Sequence, residues 1–445
     1  KERRTRKGKG SEEKPWLEAP PWRQFQILPK EESNPPLGMG ETYWKELDEI
    51  AEASSSTSTG VYSRGTTFRL PRDENKQPTD KAERILLAVN AAIRLRRPLL
   101  VTGLPGSGKT SLAYAIAAEL GLGPVLVWPI TPRSRLLEDG LYRYDALARL
   151  QQADLDRFSD SQARSRPVSA PDATQDQEKP VAPPIDEFIR LGPVGTAFLP
   201  SRWPRVLLID EIDKGDLQLP NELLHLFEEG RYEISELTRS QRQSKPQNEE
   251  QPAEKSTRES SQSPYTIRTA DAKVDSNSES GAEEPLTVKL RSGFVSCAEF
   301  PIVVMTSNRE REFPPAFHRR CIRIGMPPPD DQVLTPIVEA HFANQSKDNQ
   351  PGGQELRKEI EHFLGQVPQE GDAADGEASG AGPAAIRDRA VDQLLNALFL
   401  LTGQSQVGPD EKQRSALRDI LYRKLSDPSD DPEDDDAARG GAATE

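Results

Sequence analysis

At 445 residues the chain is long enough for two or three domains, yet only 34% of it is hydrophobic, 29% is charged and 39 residues are proline. A chain this polar does not offset ordering entropy along its whole length, so some segments are expected to stay mobile. The net charge of −14 argues against a general binder of nucleic acid or anionic membranes, and no apolar run reaches the roughly 20 residues a membrane helix needs.

Residues 1–80 have little periodic pattern. They open with a basic run (Lys1, Arg3, Arg4, Arg6, Lys7, Lys9) and carry scattered aromatics, Trp16, Trp22, Phe25, Tyr43 and Trp44. The expectation is a mostly irregular N-terminal arm that packs a few aromatics on the core; a docking peptide for a partner is the other reading. From residue 81 the pattern changes. Ala82 to Leu95 reads as a helix, and Leu99-Leu100-Val101 after Pro98 suits a buried strand. A glycine-rich turn follows, then a helix with Leu112, Ala113, Ile116, Ala117 and Leu120 on one face and Gly121 as its stop. Further short apolar runs stand at Val125–Val127, Val206–Ile209, Ile302–Met305 and Ile322–Ile324. Strands alternating with helices indicate an α/β domain over 81–330 with a mainly parallel sheet.

Three low-complexity stretches, about 160–184, 238–285 and 345–384, read as disordered insertions. Helical patterns return at Val333–Phe342, Arg389–Leu401 and Ala416–Leu425, predicting a small all-α domain over 331–425. The tail 426–445 reads as acidic and disordered, expected to be solvated. Cys297 and Cys321 show no metal-ligand spacing; two lone thiols fit a reducing cytoplasm better than a disulfide scaffold. No secretory leader is read.

The strongest chemical signal is Gly103-Leu104-Pro105-Gly106-Ser107-Gly108-Lys109-Thr110, between a predicted strand and a predicted helix. Glycines let the backbone curl until its N–H groups converge on phosphate oxygens, and the helix N-terminus adds its positive dipole end. Lys109 places a charge near the β- and γ-phosphates, and Thr110 offers its hydroxyl to Mg²⁺. A second signal is Val206-Leu207-Leu208-Ile209-Asp210-Glu211, a buried strand ending in two carboxylates at the edge where open α/β sheets bind ligands. Asp210 suits Mg²⁺, and Glu211 is placed to orient and deprotonate a water. A third run, Ile302 to Asn308, delivers an amide at a strand end. Asn308 can meet a γ-phosphate and the attacking water there, although Asn also caps loops for its own reasons. The fourth, Phe313 to Cys321, puts Arg319 and Arg320 before a last strand. Either can serve as an arginine finger in trans, with Arg320 preferred; surface salt bridging is the plainer role.

Together these residues resemble the AAA+ ATPases, specifically the MoxR-like branch. Gly103–Thr110 resembles Walker A, Leu207–Glu211 resembles Walker B, and Asn308 matches sensor 1. Gly192-Pro193, Asp210–Lys214, Pro220–Gly230, Thr306–Glu312 and Pro314–Cys321 extend the likeness, with Arg320 aligned to the finger. The resemblance covers 81–330 and, loosely, 331–425. It implies a P-loop NTPase fold with a parallel five-stranded sheet flanked by helices, an α-helical lid, ATP and Mg²⁺ as ligands, and assembly into a ring, usually a hexamer. It also implies a chaperone-like role on a protein partner, one bearing a von Willebrand factor A domain in many members of the branch. The chain departs from the pattern at Asp213-Lys214, where the family often reads Asn-Arg. It departs again at 238–285, which stretches the place of an extra hairpin that Val288–Phe300 would help to form. Sensor 2 has two candidates, Arg387 and Arg389, which also fit a solvated helix face. Three functions compete: a protein-remodelling ATPase, a nucleotide-gated switch or scaffold in signalling or defence, and a nucleic-acid motor. The last is disfavoured by charge and by the lack of a basic-aromatic stripe.

Overall fold

The computed structural model describes residues 19–25, 38–56, 63–72, 75, 77–164, 184–243, 264–274, 283–327, 334, 338, 391–402, 413 and 421. The chain divides into two compact units. The first takes Lys1–Phe68, Arg84–Thr102 and Lys109–Gly325; the second takes Arg69–Glu83, Gly103–Gly108 and Met326–Glu445.

In chain order, α1 (Glu41–Ser56), α2 (Ser63–Thr67) and α3 (Asp80–Leu95) come first. β1 (Leu99–Thr102) runs through the glycine-rich segment to α4 (Lys109–Leu120), then β2 (Leu126–Pro129), β3 (Tyr142–Tyr144) and α5 (Ala146–Arg164). β4 (Ile189–Leu191), α6 (Pro193–Ala197) and β5 (Val206–Asp210) follow, with α7 (Leu219–Glu229), β6 (Arg231–Glu233) and α8 (Ser235–Gln243) after them. β7 (Tyr265–Val274), β8 (Glu283–Leu290), β9 (Phe294–Ser296) and β10 (Ile302–Ser307) lead to α9 (Pro315–Arg320), β11 (Ile322–Gly325) and α10 (Val391–Thr402).

The first unit is built on a five-stranded sheet in the order β11–β1–β10–β5–β2, with every pairing parallel. Parallel sheets are covered on both faces, so their strands read as continuous apolar runs. That holds here: Val206 to Ile209 are each 0% exposed, and all six residues of β10 are buried. At the edge, β11 is only half-buried. The register sets Thr102 beside Ser307 and Met305 beside Ile209, so β1, β5 and β10 end along one line. Against α4 lies α2, where an added Cβ on Gly65 would meet the Tyr114 carbonyl oxygen at 2.5 Å; no larger residue permits that approach. The fold is that of an α/β P-loop NTPase, with the five-stranded parallel sheet flanked by helices that the AAA+ resemblance implies.

A second sheet, β3–β4–β7–β8, joins the first through a buried ionic cluster. Arg205, 1% exposed, grips Asp271 of β7 with two guanidinium nitrogens at 2.6 and 2.9 Å. The Tyr43 hydroxyl of α1 donates to the same carboxylate at 2.6 Å. Trp44, beside it, donates from Nε1 to Ser201 Oγ at 3.0 Å and meets Trp203 edge-on.

Several of these elements lie outside what the sequence predicts. Residues 41–56, within the arm expected to be mostly irregular, form α1, because Tyr43, Trp44 and Leu47 recur on one face and are buried in the core. The stretch 238–285, expected to be a disordered insertion, contains the end of α8 and all of β7. The inward face of β7 carries Ile267, Thr269 and Asp271, so its period-2 pattern is hidden by polar residues that Arg205 and Tyr43 satisfy. In this stretch β7 pairs antiparallel with β8, whereas β9 pairs with β6. Finally, α5 continues to Arg164, into the start of the expected insertion at 160–184.

In the second unit, Thr79 accepts the Ala82 N–H on its hydroxyl and caps the start of α3. Leu334, Val338, Leu394, Ala397 and Leu398 are all 0% exposed. The helix expected at Arg389–Leu401 is α10. Most of Val333–Phe342 and Ala416–Leu425, the insertion at 345–384, the tail 426–445 and both sensor 2 candidates, Arg387 and Arg389, lie outside the described residues.

Candidate functional site

Within the second unit, the glycine-rich segment has the backbone its sequence requires. Gly106 and Gly108 sit at φ 73° and 82°, a region costly for residues with a Cβ. The Ser107 hydroxyl donates to the Leu104 carbonyl at 2.8 Å. An added Cβ on Gly103 would come within 2.9 Å of Ser107 Oγ and 3.1 Å of the Met326 carbonyl. The loop is therefore closed on itself through residues Gly103 to Ser107.

In the first unit, the head of α4 meets the end of β5. Thr110 Oγ1 donates to Asp210 Oδ1 at 3.1 Å. Lys109 is 7% exposed. Burial pulls its ammonium below the usual lysine range, and the carboxylates Asp210, Asp213 and Glu211 oppose that pull. Lys109 thus stands near three acidic groups.

Glu211 is left-handed, with φ 58° and ψ 48°, a conformation that costs a non-glycine residue about 1–3 kcal/mol and recurs at functional sites. Its backbone N–H donates to Thr306 Oγ1 at 2.8 Å, and Thr306 Oγ1 in turn donates to Asp210 Oδ1 at 2.6 Å. The Glu211 side chain projects to a half-exposed position and pairs with Lys214 Nζ at 2.8 Å. That hydrogen bond raises the Lys214 ammonium.

Asp213 is held by a dense set of hydrogen bonds. It is 5% exposed, and its Oδ2 accepts from Ser307 Oγ at 3.0 Å, the Asn308 N–H at 2.9 Å and the Glu310 N–H at 3.1 Å. A carboxylate here ties down the loop that carries Asn308. Its Oδ1 is buried and has no hydrogen-bond partner among the described residues. The Asn308 side chain makes one long contact, to Glu310 Oε1 at 3.4 Å. Arg309, left-handed at φ 64°, reaches back to Thr102 Oγ1 at 3.0 Å.

The structure thus brings together Lys109, Thr110, Asp210, Glu211 and the Asn308 loop at one sheet edge. It does not bring Arg320 to them. Arg320 lies on α9, where its Nε contacts Glu228 of α7 and its Nη1 donates to the Ala316 carbonyl. Arg319 is exposed, and its carbonyl accepts from Arg97 Nη1 at 2.8 Å. Sequence reasoning did not find Thr306, Asp213 or Lys214 as parts of the site. Thr306 reads as an ordinary β-branched strand residue, and Asp213 and Lys214 read as a mismatch to the family.

Both cysteines are buried, and burial pushes each thiol up to about 12. No helix among the described residues is long and apolar enough to cross a membrane.

No family model matches the sequence, and no curated protein matches it. Among solved structures, the chain is similar to the closed state of Hsp104 with ATPγS and FITC casein, at 14% identity over 86% of this chain and 49% of that one, with a TM-score of 0.32. It is also similar to NtrX from Brucella abortus in complex with ADP, at 13% identity over 84% of this chain and 59% of that one, with a TM-score of 0.32. The chain therefore spans about half to three-fifths of the length of these structures. Its fold is defined by its own strand order and loop conformation, not by those likenesses.

Proposed function

We propose that this chain is an ATPase of the MoxR-like branch of AAA+ proteins, and that it couples Mg²⁺-dependent hydrolysis in a ring, hexameric by analogy with the branch, to remodelling of a protein partner. The observation that carries the reading is the contact of Thr110 with Asp210 at 3.1 Å. A hydroxyl at a helix head and a carboxylate at a strand end are the oxygen donors that Mg²⁺ takes. The three carboxylates Asp210, Glu211 and Asp213 stand near two cations, Lys109 and Lys214, which leaves an excess of negative charge that a divalent cation would offset. The orphaned Asp213 Oδ1 adds an acceptor to that cluster. These residues fit the metal and the nucleotide it accompanies.

In this reading, amides of Gly103 to Thr110 (Leu104, Gly106, Ser107, Gly108 and Lys109 among them) hold the phosphates, while Pro105 shapes the turn without donating. Lys109 supplies charge to the β- and γ-phosphates. Thr110 and Asp210 would hold Mg²⁺, which would supply charge to screen the phosphate oxygens. Glu211 accepts a proton from the attacking water, whose oxygen bonds to the γ-phosphorus as the ADP oxygen leaves. Asn308 orients the water. Arg320 of a neighbouring copy stabilises the developing charge; in doing so it exchanges its intrachain contact with Glu228. The cellular place consistent with this role is the cytoplasm, and the partner class is protein, including proteins with a von Willebrand factor A domain, with neither membrane nor nucleic acid required.

The test is affinity capture with Glu211→Gln in ATP. The expected result is a ring-sized species that retains a protein partner only with nucleotide. A monomer that captures the same proteins with and without ATP would contradict the coupling.

A further inference from the structure

We propose that Thr306 is a positioning residue for the hydrolytic site, setting Asp210 and Glu211 at once through a single hydroxyl. The inference rests on the ATPase reading above and extends it to a residue to whose side chain the motifs assign no role.

The geometry is specific. Thr306 is 1% exposed and sits on β10 one residue beyond Met305, which pairs in register with Ile209 of β5. Its Oγ1 therefore faces the residues that follow Ile209. A hydroxyl has one proton and two lone pairs. The proton goes to Asp210 Oδ1 at 2.6 Å, and a lone pair takes the Glu211 N–H at 2.8 Å. Asp210 Oδ1 receives a second hydroxyl, that of Thr110, at 3.1 Å. Thr306 thus helps to aim the carboxylate that also meets the helix head.

The contact with Glu211 matters for a different reason. Glu211 is held left-handed, at φ 58°, where its side chain leaves the strand toward solvent. A backbone N–H at that bend needs an acceptor, and Thr306 provides it from inside the sheet. The β-branch restricts χ1, so the hydroxyl stays between its two partners. Groups that orient ligands of a metal typically matter by about 10- to 100-fold in metal affinity or activity.

The plainer role is satisfaction of buried polar groups. It lowers stability when removed but does not separate magnesium dependence from nucleotide binding. The full-length chain is therefore compared as wild type, Thr306→Val and Thr306→Ser. Valine keeps the shape and strand preference of threonine and removes the hydroxyl; serine keeps the hydroxyl. The readouts are ATP turnover as a function of Mg²⁺, affinity for a fluorescent ADP analogue in EDTA, and thermal unfolding.

The expected result for Thr306→Val is a fall in kcat of about 10- to 100-fold and a higher half-saturating Mg²⁺, with metal-free ADP affinity close to wild type and a lowered Tm that leaves the chain folded at the assay temperature. Thr306→Ser is expected to turn over near the wild-type rate. Two results would overturn the assignment. One is Thr306→Val with wild-type kcat and Mg²⁺ dependence. The other is Thr306→Ser impaired as much as Thr306→Val, which would trace the loss to packing. A wild-type chain that neither binds nor hydrolyses nucleotide would remove the ATPase reading itself, and Thr306 with it.

Discussion

The Thr110 hydroxyl donates to Asp210 Oδ1 across 3.1 Å, joining two residues 100 positions apart in the chain. The bond spans from the first turn of α4 to the carboxyl end of β5. In the proposed ATPase, these are the two residues that would hold Mg²⁺. Thr110→Ala is therefore expected to lose the Mg²⁺-dependent part of nucleotide affinity, about 10- to 100-fold. Nucleotide titrations in Mg²⁺ and in EDTA check this: the variant should match wild type in EDTA and fall behind only in Mg²⁺.

Glu211→Gln separates binding from hydrolysis. The substitution keeps size and removes the carboxylate that serves as base in the proposed mechanism. Its expected effect is unchanged nucleotide affinity with turnover lowered about 10²- to 10⁴-fold, the usual contribution of general base catalysis. Single-turnover kinetics measures it, and hydrolysis at the wild-type rate would assign the water to another residue.

The cluster of Arg205, Asp271 and Tyr43 predicts a stability effect far from the site. Asp271→Ala leaves the Arg205 guanidinium, 1% exposed, without its carboxylate. Breaking a buried pair in this way costs about 3–5 kcal/mol. Tyr43→Phe removes one hydrogen bond to a charged acceptor, about 1.5–3 kcal/mol. Urea unfolding of the two variants should rank them in that order, and the double change Arg205→Met with Asp271→Leu should recover much of the loss.

Glu299 gives a pH dependence with a definite sign. Burial pushes its carboxyl from 4.5 up to about 7, against the pull of Arg96, whose Nη2 stands 2.6 Å away. The unfolded chain ionises first as pH rises, so this group lowers stability progressively from about pH 4.5 to 7 and adds no further change above that. Glu299→Gln should flatten that part of the profile. Thermal unfolding of both proteins between pH 4.5 and 8 tests the difference, which should widen in favour of the variant up to neutrality.

The central sheet and the phosphate loop were legible because their signals are local. Each strand of the sheet is an apolar run, and the loop spells out its backbone in Gly106 and Gly108. The residues that join those parts were not legible, since their signals are pairwise and distant. Asp271 reads as a polar residue in a polar insertion until Arg205, 66 positions earlier, is placed against it. Thr306 reads as a strand former until Asp210 and Glu211 are beside it. Asp213 looked like a mismatch because its role is to accept from the backbone of residues 308 and 310, and main-chain groups leave no trace in sequence. For Arg320, proximity to Arg319 gave the pair but not its intrachain contact with Glu228 on α7.

The most direct measurement is calorimetric titration of the full chain with the Mg²⁺ complex of a non-hydrolysable ATP analogue, beside Lys109→Ala. The account predicts saturable heat from the wild type and none from the variant, because the ammonium flanked by Asp210, Glu211 and Asp213 is the charge that holds the triphosphate. Equal heats from the two proteins, or no heat from the wild type, would contradict it.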